Sequence, residues 1–354
     1  MYIRVFKIIF LLFFITNVIA KDKMVFAIDV IRHGDRTPIN EIPNDPYNWA
    51  EGLGELTALG MNQEYKLGQS FNKMYINKLL PANYSAKSLY VRSSDYNRTL
   101  MSAQSVLLGL YPTGSGPLLT DGSYALPNAF QPVPIHTDSE NNEVLFIHHK
   151  NADFKKVVND NVYSTKEWQK KNEQYKDKFI VWNKATGFNI KDLQDIITLG
   201  DNLHIRKLHG VPLPKNIDEV EAQEIMALAN WAMVTIYKSY PVALIARGKL
   251  LNVIVDYLQH AINDDSNPLK YVLFSGHDTT ILALLSSLHA PALQVPSYAS
   301  DLKFILFKKD NKAYYINISL NGKRIKIPSC HQINCTLDEF IEATAVISSS
   351  KNTF

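Results

Sequence analysis

Two kinds of apolar run alternate along this chain. Residues 24–31, "MVFAIDVI", and 271–276, "YVLFSG", are nearly unbroken apolar stretches carrying β-branched and aromatic residues. Their length suits strands buried on both faces. Elsewhere the apolar positions recur at helical spacing. Leu59, Leu67, Phe71 and Met74 predict an amphipathic helix within 55–79, with Thr57 as N-cap. A short strand at 88–94 leads into a helix over 95–111, capped by Asp95 and stopped near Pro112. Residues 112–134 hold many Gly, Pro and Ser and read as loop, followed by a short strand in "VPIHT". Strong helical periodicity marks 217–240 and 244–263, the latter with Lys249, Asp256 and His260 toward solvent. A helix opens at Asp278, and "LKFILFKK" with "AYYINISLNGKRIKI" predicts an antiparallel hairpin near the end.

Strand and helix alternate at both ends of the chain, which predicts an α/β fold with a mostly parallel central sheet flanked by helices. Between them, 146–240 is polar, tryptophan-bearing and helix-prone, without a convincing strand. The expected organisation is an α/β core from 21–145 and 241–354, carrying the catalytic site, with 146–240 inserted as a helical cap.

The first twenty residues stand apart. "MYIRVFKIIFLLFFITNVIA" has basic Arg4 and Lys7, an apolar run over 8–15 and small or aliphatic residues before position 21. This is the pattern of a secretory signal cleaved after Ala20. The run is shorter than the ~20 residues a membrane span requires. No other segment is long and apolar enough, so no stable membrane span is expected, and the mature chain is expected outside the cytoplasm, secreted or in a periplasmic or lumenal space. Loss of Arg4 and Lys7 takes the formal charge of the 354-residue chain from +3 to +1. So near-neutral a chain offers no footprint for nucleic acid. The two cysteines, Cys330 and Cys335, lie in "CHQINC". An oxidising compartment favours a disulfide there. A zinc site using His331 is the rival, and its spacing matches no common pattern.

Ligands of open α/β sheets sit at strand carboxyl ends, where this chain places "RHGDRTP" (32–38), "VRSSD" (91–95) and "SGHD" (275–278). Arg32, Arg36 and Arg92 each offer a planar fork of donors matched to phosphate oxygens. His33 lies between two of these cations, which disfavour its protonated form and leave a lone pair for attack on phosphorus. His277 is a second imidazole able to bond a phosphate oxygen. Asp278 suits a helix N-cap, and also a proton donor to a leaving alkoxide. Asp29, inside the first apolar run, demands a buried partner.

These motifs resemble those of the histidine acid phosphatases, branch 2 of the phosphoglycerate-mutase-like histidine phosphatase superfamily, of the prostatic and lysosomal type. "RHGDRTP" is similar to the R-H-G-x-R-x-P signature and "SGHD" to the distal H-D element. "LTALGMNQEYKLG", "VRSSDYNRTLMSA", "FQPVPIHT" and "CTLDEF" extend the likeness almost to the C-terminus. The resemblance implies a metal-independent phosphomonoesterase with no cofactor. In it His33 becomes phosphorylated, Arg32, Arg36, Arg92 and His277 bind the phosphoryl group, and Asp278 is the general acid. It further implies that Arg98 is structural, that Cys330 and Cys335 form a short-range disulfide, and that the chain pairs as a homodimer. An acidic optimum follows if Asp278 must be protonated while His33 stays neutral. The competing functions are a phytase, whose wider basic pocket is poorly matched by the near-balanced charge of 146–240, a phosphoglycerate mutase, a non-catalytic phosphate binder, and a metallophosphatase using His33, Asp35, His277 and Asp278. Small phosphomonoesters are the expected partners.

Overall fold

The computed structural model describes residues 22–139, 143–147, 151–263 and 266–349. The expected signal segment lies outside these residues. The first apolar run forms β1 (Lys23–Arg32). It is followed by α1 (Ala58–Tyr75), β2 (Leu89–Ser93) and α2 (Asn97–Leu110). Four helices come next: α3 (Ala152–Val158), α4 (Lys166–Thr186), α5 (Leu193–Leu208) and α6 (Glu219–Lys238). The last part runs α7 (Tyr240–Asn263), β3 (Tyr271–Gly276), α8 (Asp278–Ser287), β4 (Asp301–Lys308) and β5 (Tyr314–Leu320). It closes with β6 (Lys323–Arg324), β7 (Cys335–Thr336) and α9 (Leu337–Ser349).

One mixed sheet results, in the order β2-β3-β1-β4-β5-β6, with β7 on β5. β2, β3 and β1 run parallel, while β4 and β5 continue the sheet antiparallel. The parallel part is therefore confined to three strands, because the C-terminal hairpin joins the same sheet. Alternation along β1 sorts its side chains. Phe26, Ile28 and Val30 pack with α7, α8 and the start of α9 on one face, whereas Ala27 and Ile31 pack with α1 and α2 on the other. Each fully buried Ile or Phe contributes roughly 1.5–3 kcal/mol. A separate apolar cluster joins α3, α4, α5 and α6 to the first turns of α7, with Ile42, Leu282 and Ala283 as its contacts toward the rest of the chain. Cys330 and Cys335 are joined in a disulfide.

The buried carboxylate of Asp29 faces the α1 side of the sheet and has a full set of partners. Tyr75 and Tyr271 each donate to Oδ2 at 2.8 Å, and the Lys303 ammonium donates to Oδ1. Lys303 also reaches Tyr75 at 2.8 Å and Asp301 at 3.0 Å, so its three donors are used.

Three local expectations are corrected. Asp95 does not cap α2: Tyr96 takes the cap position, with no side-chain bond. "VPIHT" forms no strand, only a single bridge from His136 to Arg92. Prolines at 132 and 134 remove the donors a longer ladder would need. At α8 the N-cap is His277, and Asp278 is the first helical residue. Thr57, by contrast, caps α1 as expected, accepting from Gly60 N at 3.1 Å.

Candidate active site

The carboxyl ends of β1, β2 and β3 lie side by side because the three strands are parallel neighbours. β4 runs the other way, so the loop before it, 296–300, arrives at the same edge. Arg32 N donates to Ser300 O at 2.9 Å, and His33 N donates to Gly276 O at 3.0 Å. The turn after His33 presses onto the start of α1: a Cβ at Gly34 would lie 2.4 Å from Gly60 O. Only glycine permits that approach. Gly34 N donates to Ser102 Oγ on α2, and Asp35 N to Gln63 Oε1 on α1. The motif is thus strapped to both helices.

His33 is almost wholly buried. Its Nδ1 lies 2.8 Å from the carbonyl of Gly34. A carbonyl only accepts, so Nδ1 carries the hydrogen and Nε2 keeps the lone pair. Burial, then the charges of Arg32, Arg98, His277 and Arg36, hold the His33 imidazole well below its ordinary range. The ring of His277 stands edge-on to it, centroids 5.5 Å apart. His277 Nε2 is 2.9 Å from Ser94 Oγ, and Tyr96 and Phe146 pack against the ring. Burial and the charges of Arg98, Arg247, Arg36 and Arg32 keep this imidazole neutral too.

Three guanidiniums surround the pair, and one is not among the residues first expected. Arg32 bonds Asp278 Oδ2 at 2.8 Å and the carbonyl of Pro296, and lies over the Tyr298 ring at 4.2 Å. Arg36 is held bidentately by Asp201 of α5, both bonds at 3.0 Å. Burial works against its charge, but Asp201, Tyr298 and Asp278 together outweigh it and raise its pKa. The third is Arg98, in the first turn of α2, over the Tyr96 ring at 4.5 Å and donating to Gly54 O at 3.4 Å. Burial, then the charge of Arg36, lowers its pKa to about 10. The Nε–H groups of Arg32, Arg36 and Arg98 are all buried without an acceptor, as is the hydroxyl of Tyr298. Arg206 and Arg247, outside the cage, share that feature, and what sets the three apart is that their charges bear on both imidazoles.

Arg92 goes elsewhere. It lies within β2, and its neighbours Val91 and Leu89 point to the α1 and α2 face. Alternation sends Arg92 to the opposite face, where Nη2 meets Asp138 at 3.4 Å and Glu143 at 4.0 Å. Its charge is not among the largest that bear on His33 or His277. The structure therefore brings together Arg32, His33, Arg36, His277 and Asp278, leaves Arg92 outside, and adds Arg98.

Asp35 is fully buried, and its Oδ2 accepts from Thr57 Oγ1 at 2.5 Å and pairs with His209 Nε2 at 2.7 Å. It braces the loop rather than facing the imidazoles. Among the described residues no group of three or more His, Cys, Asp or Glu side chains is placed to hold a metal ion. Asp201, Ser94 and Tyr298 were missed by sequence reasoning. Asp201 comes from the polar helical region, where one aspartate looks like another. Tyr298 comes from the loop before an antiparallel strand, and only the topology brings it near. Arg98 carried a readable signal: it stands in the first turn of a helix entered from a strand carboxyl end.

Comparison with known proteins agrees with this geometry. The sequence profile of the histidine phosphatase superfamily (branch 2) matches residues 23–321. Bovine prostatic acid phosphatase (Bos taurus) is 32% identical over 337 residues, covering 92% of this chain and 85% of its own length. Rat lysosomal acid phosphatase (Rattus norvegicus) is 31% identical, covering 90% and 77%. Among solved structures, the phytase of Klebsiella sp. ASR1 superposes with a TM-score of 0.67 at 17% identity, over 92% of this chain and 96% of that one. The phytase of Hafnia alvei with myo-inositol hexakis sulphate gives 0.67 at 16% identity, over 92% and 97%. With a profile match over most of its length, this chain belongs to branch 2 of the histidine phosphatase superfamily.

Proposed function

We propose that this chain is an acid phosphatase that hydrolyses phosphomonoesters through a phosphohistidine at His33. The observation that carries the reading is the neutral His33 ring, its Nε2 lone pair available, beside three arginines whose buried Nε–H groups have no acceptor. A buried donor left unpaired is costly. A phosphoryl group supplies the acceptors and the negative charge together.

In the first half-reaction Nε2 attacks phosphorus, the P–N bond forms and the P–O ester bond breaks. Asp278 delivers its proton to the departing alkoxide. In the second, water attacks the phosphohistidine, Asp278 takes its proton, the P–N bond breaks, and inorganic phosphate and neutral His33 are restored. Arg32, Arg36, Arg98 and His277 hold the phosphoryl oxygens throughout, where charge builds in the transition state. Asp278 begins in an ion pair with Arg32. A bound phosphoryl group competes for that guanidinium, and the carboxylate so freed takes up from the acidic medium the proton it delivers to the ester oxygen. Arg92 is a structural ion-pair partner of the loop.

The α3–α6 helices, with their own apolar cluster, act as a cap over the phosphoryl site. Cleavage near Ala20 exports the chain, in keeping with the Cys330–Cys335 disulfide and with the lack of a membrane-length apolar helix among the described residues. The mature protein pairs as a homodimer.

A substrate panel tests the activity. Purified mature protein at acidic pH should release phosphate from aryl and nucleoside monophosphates faster than from phytate. Faster release from phytate would assign it to the phytases instead. No release from any ester, with phosphate still bound, would make it a binding protein.

A further inference from the structure

Arg36 carries two forks of N–H donors. The end-on fork, one N–H from each Nη, is closed on both oxygens of Asp201 at 3.0 Å. Nη1 gives its other N–H to the carbonyl of Thr37 at 3.0 Å. The side-on fork, made by Nε–H and the outer N–H of Nη2, is what remains, and its Nε is buried without an acceptor. A planar guanidinium held by one fork has its other fork fixed in direction.

Asp201 belongs to α5, not to the α/β layers, and α5 is fastened to the motif loop at three further points. Asn202 Nδ2 donates to Asn40 O at 2.6 Å, Arg206 Nη1 pairs with Asp45 Oδ1 at 3.3 Å, and His209 meets Asp35 at 2.7 Å. Only the Asp201 contact touches a guanidinium of the cage.

We infer that Asp201 is a positioning residue for phosphoryl transfer: it holds Arg36 by the end-on fork so that the side-on fork meets the phosphoryl oxygens. The inference rests on Arg36 being a phosphoryl ligand. It has a consequence opposite in sign to simple electrostatics. A carboxylate beside an anion site repels the anion, so charge alone makes its removal tighten phosphate binding. Loss of positioning weakens it, because Arg36 must then be ordered by the ligand itself.

The test measures inhibition by inorganic phosphate during hydrolysis of p-nitrophenyl phosphate, with the whole mature protein. Asp201→Asn should raise the phosphate inhibition constant about tenfold and lower kcat/KM by roughly 10²-fold. Asp201→Glu, which keeps the carboxylate, should recover part of both. In an Arg36→Ala background there is no guanidinium left to position, so Asp201→Asn should no longer weaken phosphate inhibition and should leave it unchanged or tighter. Asn202→Ala breaks a neighbouring α5 link without touching Arg36, and should leave phosphate inhibition within about twofold of the parent. Tighter or unchanged inhibition by phosphate in Asp201→Asn overturns the inference. So does an equal loss in Asn202→Ala, which would mean that docking of α5 is all that matters. If Arg36→Ala by itself leaves phosphate inhibition unaltered, the site reading fails and takes the inference with it. If Arg36→Ala weakens phosphate while Asp201→Asn tightens it, only the inference falls. Should Asp201→Asn fold poorly, Asp201→Glu measured alone decides by the same sign.

Discussion

β1 carries two charged clusters a few residues apart, and they are built on opposite principles. At its middle, Asp29 is surrounded by two phenols and the Lys303 ammonium, and every donor of that ammonium has an acceptor within the protein. At its end, Arg32 and His33 open a cluster in which three guanidinium Nε–H groups and one phenol have none. Both clusters are buried and both cost desolvation. The first recovers most of that cost from its own partners, with Asp301 Oδ1 left unbonded, and serves as a structural device. The second leaves part of it to be recovered from an anion, so it is a site. Neither the count of charges nor unpaired donors alone separates the two; the convergence of three guanidiniums on two neutral imidazoles does.

The contrast is broken most forcefully at Lys303. Lys303→Met leaves Asp29 buried without its cation and should destabilise the fold by about 3–5 kcal/mol. Activity per folded molecule should stay near the parent's. Chemical denaturation beside active-site titration checks both. A stable Lys303→Met protein would mean that the Asp29 cluster is dispensable.

Arg98→Ala tests the other cluster. It should reduce kcat/KM by roughly 10²–10³-fold, with little loss of stability because a buried cation leaves with it. Arg92→Ala, by contrast, should cost under about tenfold, since it pairs with Asp138 and Glu143 on the other face of the sheet. Steady-state kinetics on the two variants compares them. The reverse ranking would restore Arg92 to the cage.

That pair of arginines also marks how far the sequence could be read. β1, β3 and α8, with the motifs "RHGDRTP" and "SGHD" at their junctions, follow from the long apolar runs and the residues after them. So do α1 with its Thr57 cap and α7 with its polar stripe. Which arginine of "VRSSDYNR" enters the site depends on where the strand stops and the helix begins. Alternation turns Arg92 away, and one helical turn brings Arg98 in. Closeness in sequence to a strand end misses that. The parallel extent of the sheet was overread because a hairpin pattern does not say which edge it joins. Asp201 and Tyr298 depend wholly on tertiary approach, and no local pattern announces either.

The last expected effect grows with pH and concerns Glu64, which is fully buried on α1. Burial, then the charge of Asp301, holds its pKa well above the ordinary carboxylate range. The folded protein therefore keeps a proton there that the unfolded chain loses near pH ~4.3. Above that pH the native state binds more protons, and stability falls as pH rises toward the folded-state pKa. Glu64→Gln removes this term. Thermal melts should show the variant and parent alike below about pH 4 and diverging above it, by about 1.4 kcal/mol per pH unit until the native group titrates. His33 and His277 act in the opposite sense: their depressed values cost stability as pH falls below ~6.5. Glu64→Gln should leave that acid limb in place. A gap that does not grow with pH would mean that Glu64 is ionised in the fold.

The most direct measurement is alkaline-quenched trapping of radiolabel from a small phosphomonoester, with peptide mapping of the labelled site kept at alkaline pH, where a P–N bond survives. Label on His33, absent from His33→Ala but present in Arg98→Ala at reduced rate, is the predicted result. Label on another residue, or turnover that survives in His33→Ala, would contradict a phosphohistidine formed within the guanidinium cage.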